Sequence, residues 1–142
     1  MKVLVTGVAG QLGHDVMNEL AKRGYEGIGS DIAESYNGSQ DGTPVVSMPY
    51  VQMDITDKAS VEKVLTEVNA DAVIHCAAWT AVDLAEDEDK KDKVHAVNAE
   101  GSKILRKYVR SLTVRWSIPV RTMYSMVREK NHGSRTVRII SR

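Results

Sequence analysis

The chain of 142 residues carries one cysteine, three prolines and only 5% aromatic residues. A lone thiol, Cys76, excludes an internal disulfide and suits a reducing cytoplasm. No apolar run approaches the roughly 20 residues of a membrane-spanning helix. Met1 and Lys2 lead straight into an apolar stretch, without the pattern of a secretory leader. A cytoplasmic chain with no membrane anchor is therefore expected. Four scattered histidines form no ligand spacing, so no metal site is expected. At this length the chain is one domain.

Charge of one sign is missing from each end. Residues 1–103 hold 9 Lys+Arg and 18 Asp+Glu, whereas residues 104–142 hold 10 Lys+Arg and a single acid, Glu129. The first part has one arginine, twelve alanines and ten aspartates; the second has eight arginines and none of the other two. Two halves so unlike rarely belong to one fold. The second is read as a basic tail without a fold of its own.

What is present is concentrated in Val3-Leu4-Val5-Thr6-Gly7-Val8-Ala9-Gly10-Gln11-Leu12-Gly13. A buried strand ends at Thr6, glycines follow at 7, 10 and 13, and a helical pattern begins at once. A dinucleotide needs this order. Gly7 permits a tight turn, Gly10 lets backbone approach a pyrophosphate, and Gly13 lets helix pack close to sheet. The helix N-terminus then faces the phosphates. A plain strand–turn–helix is the bland alternative.

The helix runs from 10 to 23, with Leu12, Val16 and Leu20 on one face and Gly24 as its stop. A second strand, 25–30, ends at Asp31, placed to accept both hydroxyls of an adenosine ribose; a simple turn aspartate is the alternative. No Lys or Arg follows Arg23 until Lys58, so nothing nearby holds a 2′-phosphate, which favours NADH over NADPH. Residues 35–49, with Asn37-Gly38 and Asp41-Gly42, read as loop. A third strand, 50–53, closes on Asp54 and Ile55, an acceptor for the adenine amino group and a cover for its face. Alternatively Asp54 or Thr56 caps the next helix, 58–68, whose Val61, Val64, Leu65 and Val68 form one stripe.

A fourth strand, 71–76, is continuously apolar at Ala72-Val73-Ile74, as a strand covered on both faces should be. Ala77 and Ala78 are small enough for ribose and pyrophosphate to lie against its end. Cys76 and His75 read as structural. The acids between Asp83 and Asp92 read as a solvated helix start. That helix continues to about Lys107 with Val94, Val97, Gly101 and Ile104 on one face. Asn98, on or beside that face, must find partners. The order β-α-β-β-α-β-α gives an α/β fold, a Rossmann-type doubly wound parallel sheet of strand order 3-2-1-4.

Gly7-Val-Ala-Gly-Gln-Leu-Gly13, Met53-Asp-Ile-Thr56, the stretch Val73 to Asp83, Ala85-Glu-Asp-Glu88 and Val97-Asn98 together resemble the dTDP-4-dehydrorhamnose reductases, a branch of the extended short-chain dehydrogenase/reductases. The resemblance covers residues 1–103, about the first third of such an enzyme. It implies an NAD(P)H-dependent reduction of the 4-keto group of a nucleotide-sugar. By position, Gly10, Gln11, Leu12, Asp31, Asp54, Ile55, Ala77, Ala78 and Thr80 would line the cofactor. Val82 and Asp83 would sit on the substrate side, and Asn98 would help hold the site. The family's proton donor is the Tyr of a Tyr-x-x-x-Lys pair. Here Tyr25, Tyr36, Tyr50, Tyr108 and Tyr124 are followed four residues on by Gly29, Gln40, Asp54, Leu112 and Arg128. No catalytic residue is assigned.

Residues 104–142 read as an out-of-frame rendering of the same gene. Back-translated with suitable codons and given one added base, Ile104 to Arg110 becomes Asn-Ile-Ala-Lys-Val-Cys-Lys. Val120 to Met126 in the same shifted frame gives Thr-Asp-Tyr-Val-Phe-Asp, the family's segment after strand five. Such a chain would leave the fourth strand's edge bare and lose stability, of which a domain has only about 5–15 kcal/mol. The rival reading is a genuine basic tail for nucleic acid or an acidic partner, but it carries no recognisable motif. Thr113 to Val120 could still pair as a strand by accident.

Overall fold

The computed structural model describes residues 1–79, 88–112 and 115–117. Strand β1 (Lys2–Thr6) has side chains that alternate across the sheet, Val3 and Val5 to one face and Leu4 to the other. Each is at most 1% exposed, so the run is apolar throughout, as a central parallel strand requires. Helix α1 (Gln11–Lys22) lays Met17 and Leu20 on the Val3/Val5 face. Strand β2 (Glu26–Asp31) pairs parallel to β1, and β3 (Tyr50–Gln52) pairs parallel to β2. Helix α2 (Lys58–Val68) sends Val61, Val64 and Leu65 to the Leu4 face. Strand β4 (Ala72–His75) returns beside β1, with Leu4 opposite Val73. Every buried Val or Leu of these faces contributes about 2 kcal/mol relative to exposure.

Gly27 and Gly29 in β2 have a packing reason. A Cβ on Gly27 would meet Met48 and Met17, and one on Gly29 would meet Val8 and Met17. The segment expected to be loop contains one short 3₁₀ turn (Pro44–Ser47), which buries Val45 on the α1 side.

The strand order 3-2-1-4 is found and is extended. A fifth strand, β5 (Arg115–Ser117), pairs parallel to β4, with Ala72 opposite Arg115 and Ile74 opposite Ser117, giving β3-β2-β1-β4-β5. The edge of β4, expected to be bare unless 113–120 paired by accident, is thus covered by that pairing. Nor does the break in composition coincide with a break in structure. Helix α3 (Glu88–His95) passes through a wider π turn (Ala96–Gly101) into α4 (Ser102–Ser111), and Leu105 and Val109 of α4 are fully buried against Leu4 and α2. Residues 102–111 thus pack into the same core as Leu4 and α2.

The π turn also widens the expected helix face. Gly101 is buried, and Val97 and Ile104 pack partly buried against the core as expected, but the wider turn adds about a residue to its circumference and makes Leu105 the fully buried one. Among the described residues, no helix is long and apolar enough to cross a membrane, and no three His, Cys, Asp or Glu side chains are arranged to hold a metal. Residues 118–142 of the basic stretch lie outside the described residues.

Candidate functional site

The carboxyl ends of β1, β2, β3 and β4 open into one cavity of about 1140 Å³. Ligand clefts measure roughly 300–1,000 Å³, so this one is large enough for a dinucleotide. An open parallel sheet places its ligand at this end, where the connections diverge to opposite faces.

The glycine loop forms the first wall. Gly7 has φ +73°, and its N–H donates to the Ser30 carbonyl at 2.8 Å. A Cβ on Gly7 would lie 2.5 Å from the Ala77 nitrogen, so the turn rests directly on the chain leaving β4. A Cβ on Gly13 would fall on the Gly7 carbonyl. Gly10 differs: its nearest neighbour would be the Gly7 carbonyl at 3.4 Å, and its outer face is open to the cavity. No side chain caps α1 at Gly10. The first-turn N–H groups of Gln11, Leu12 and Gly13, all cavity-lining, are therefore available to an anion.

Asp31 stands at the end of β2. Its Oδ2 accepts from the Ala9 N–H at 3.1 Å and its Oδ1 from the Ile32 N–H at 2.9 Å. It is thus a turn aspartate that also ties the glycine loop to β2. A carboxylate has about four acceptor directions, and with two taken it keeps capacity for ribose hydroxyls. Ile32 beside it is 64% exposed on the cavity wall. Sequence reasoning missed Ile32, although an apolar residue directly after a strand-end acid was a usable signal.

Asp54 and Ile55 line the next part of the wall. Asp54 Oδ1 accepts from the Thr56 N–H at 2.8 Å and the Thr56 hydroxyl at 2.7 Å. The cap of α2 is Asp57, whose carboxylate accepts from Ala59 and Ser60 N–H, so neither Asp54 nor Thr56 plays that part. Among the described residues none bonds Asp54 Oδ2. Ile55 is held by the π turn: a Cβ on Gly101 would come within 2.9 Å of its Cδ1.

The far wall is Cys76, Ala77, Ala78 and Trp79, faced by Lys93, Ala96 and Val97. Burial pushes the Cys76 thiol up to about 11, which leaves it a protonated core side chain and no nucleophile at neutral pH. His75 is 4% exposed, and burial holds its imidazole down at about 4, so the ring is neutral. Asn98 does not line the cavity. Its Oδ1 accepts from the Trp79 N–H at 2.7 Å and its Nδ2 donates to the Trp79 carbonyl at 3.2 Å, pairing with that backbone as a strand would.

One cavity therefore gathers Gly7, Gly10, Gln11, Leu12, Gly13, Asp31, Asp54, Ile55, Ala77 and Ala78. Thr80, Val82 and Asp83 lie outside the described residues. Among the described lining residues the charges are Asp15, Asp31, Asp54 and one cation, Lys93, which sequence reasoning passed over as part of a solvated helix.

Residues 1–116 match the family described as RmlD substrate binding domain. The dTDP-4-dehydrorhamnose reductase of Mycolicibacterium smegmatis is 33% identical over 100 residues, covering 70% of this chain and 24% of that protein. The probable low-salt glycan biosynthesis reductase Agl14 of Haloferax volcanii is 39% identical over 83 residues, 58% of this chain and 25% of that one. The chain thus spans about a quarter of the length of these curated relatives. Among solved structures, UDP-glucose 4-epimerase of Thermus thermophilus in complex with NAD superposes with a TM-score of 0.68 at 30% identity, over 80% of this chain and 35% of that one. A dTDP-4-dehydrorhamnose reductase from Clostridium acetobutylicum gives 0.62 at 33% identity, over 82% and 34%.

Proposed function

The chain belongs to the RmlD substrate binding domain family, and from that membership we propose that it is the nucleotide-binding part of an NAD(P)H-dependent sugar-nucleotide reductase. The reaction of the whole enzyme is reduction of the 4-keto group of dTDP-4-dehydro-L-rhamnose to dTDP-L-rhamnose, a precursor of cell-surface polysaccharide. The observation that carries the reading is the single cavity in which the glycine loop, Asp31, Asp54 and the Ala77-Ala78 step meet. The residues fit a dinucleotide: side-chain-free backbone at Gly10, uncapped N–H groups at α1, and a carboxylate with acceptor capacity at β2.

When bound, the dihydronicotinamide supplies a hydride. This chain's residues bind and orient. The α1 N-terminus takes the pyrophosphate, and Asp31 takes the adenosine ribose. Asp54 accepts from the adenine amino group while Ile55 covers the ring. Thr80 lines the cofactor further along, and Val82 and Asp83 face the nucleotide-sugar. NADH is favoured, because a 2′-phosphate would meet the Asp31 carboxylate with no Lys or Arg between Arg23 and Lys58 to offset it. With no Tyr-x-x-x-Lys pair, the chain binds cofactor without turning substrate over.

Residues 104–142 are, in this proposal, an out-of-frame rendering of the family sequence. The buried positions of α4 accommodate either frame. They hold Leu105 and Val109 here, and the restored frame would put an isoleucine and a cysteine at the same two positions. Resequencing the gene across the codons for Gly101 to Leu105 decides this: one added base should open a frame with Thr-Asp-Tyr-Val-Phe-Asp and a later Tyr-x-x-x-Lys. If no frame continues the family sequence, the basic stretch is genuine and a non-catalytic binding module becomes the better reading.

Calorimetric titration tests the cofactor assignment. The expected result is one NADH per chain, bound at least about tenfold more tightly than NADPH, one pKa-sized unit of binding energy. Equal or reversed preference would overturn the Asp31 argument. Related epimerase chemistry is distinguished by the parts of such enzymes beyond the quarter that this chain matches.

A further inference from the structure

A line of buried polar groups runs beneath the far wall of the cavity. The Thr6 hydroxyl lies 2.7 Å from His75 Nδ1, and His75 Nε2 lies 3.0 Å from the Ser102 hydroxyl. Ser102 donates to the Asn98 carbonyl at 3.1 Å. The Ala77 N–H donates to the Thr6 hydroxyl at 3.4 Å. Because the Ser102 hydroxyl donates to a carbonyl, it accepts from His75, so His75 carries its proton on Nε2. Nδ1 is then the acceptor of the Thr6 O–H, and Thr6 in turn accepts from Ala77. Thr6 and His75 are 1% and 4% exposed, so water offers these groups little substitute.

The two ends of the line grip the same short segment. Thr6 holds Ala77, and Asn98 holds both backbone groups of Trp79. We propose that His75 and Ser102 are positioning residues, which join these two grips through the fold's interior and so set the height of the 77–79 wall against the glycine loop. The consequence is ligand affinity, since a Cβ-free Gly7 already lies against Ala77 with no slack. The Ser102 hydroxyl also bonds back to the Asn98 carbonyl four residues earlier, as a helical serine commonly does, and so ties α4 to the residue that holds Trp79. The proposal rests on the dinucleotide reading of the cavity for its functional effect, but not for the mechanical link itself.

The test uses the full chain with W116F, which leaves Trp79 as its only indole. Two readouts are taken: NADH affinity, and the hydrogen-exchange rate of the Trp79 amide. S102A is expected to weaken NADH about tenfold and to speed exchange at Trp79 at least tenfold, and S102T to restore both within twofold. T6V, which keeps the side-chain shape at the other end, is expected to weaken NADH similarly if S102A fails to fold. V109A removes core from the same helix without touching the line, and its Trp79 exchange should rise no more than exchange elsewhere in the fold. If S102A and V109A behave alike once matched for loss of stability, Ser102 is ordinary packing and the proposal is overturned. If the unaltered chain binds no NADH, the cofactor reading falls, and the Trp79 exchange rates still decide the link.

Discussion

The two walls of the cavity are held in place by different physics. The glycine wall is held by backbone. A positive φ at Gly7, and positions 7 and 13 where no side chain fits, fix its path within seven residues of sequence. The 77–79 wall is held by side chains from β1, β4, the π turn and α4, separated by as many as 71 positions. A backbone-built wall tolerates almost no substitution and breaks outright. A side-chain-built wall has links that can be removed singly, and its dependence on solution conditions follows from the one titratable ring within it.

The largest effect is expected on the first wall. Gly7→Ala meets about 1–2 kcal/mol of left-handed strain together with about 1–3 kcal/mol of overpacking against the Ala77 backbone. Urea denaturation should show a loss near 3 kcal/mol or a chain that does not fold. A loss under about 1 kcal/mol would mean that the two walls are less tightly apposed than described.

The second wall should respond to acid. His75 is held at about 4 when folded, against 6.5 for the free side chain. Above pH 6.5 the ring is neutral in both states and its contribution is constant. Below 6.5 the unfolded chain gains a proton that the folded chain refuses until about pH 4. Stability therefore falls across that window, by roughly 3 kcal/mol in total. Comparing pH-dependent unfolding of the chain with that of H75N isolates this loss, which should vanish in the variant.

A smaller change sharpens the comparison where the glycine loop meets β2. Asp31→Ala removes the acceptor for Ala9 and Ile32 together with the proposed ribose contact, so NADH affinity should fall about tenfold, close to 1.4 kcal/mol. Asp57→Ala serves as the reference outside both walls. It uncaps α2 and should cost about 1 kcal/mol of stability with NADH affinity unchanged.

The same contrast governs what could be read from sequence. The glycine wall is legible because its requirements are local: the strand, the glycine spacing and the helix lie within one short stretch. The α2 stripe and the order of the first four strands are legible for the same reason, through apolar periodicity. His75, Ser102 and Thr6 give no such signal, since their partners lie 69 and 27 positions away. Asn98 stood out twice, as a polar residue on or beside an apolar helix face and through the Val97-Asn98 match to the family. The π turn was hidden too, and with it the inward rotation of Leu105, because a change of helical width leaves no mark in a periodicity drawn at constant pitch. β5 could be foreseen only as an accidental pairing within 113–120, for a different reason. Its composition differs from the rest of the domain, and a three-residue strand at a sheet edge asks little of its side chains.

The central claim, that both walls close on one dinucleotide, is tested most directly by following backbone amide resonances of the chain during titration with NADH. The account predicts that Gln11, Leu12 and Gly13 shift together with Ile32, Ile55, Ala77 and Trp79, saturating at one equivalent, and that ADP-ribose, which carries the same adenosine and pyrophosphate, shifts Gln11, Leu12, Gly13, Ile32 and Ile55 alike. A folded chain whose amides stay unmoved, or shift only at the exposed face of α1, would contradict it.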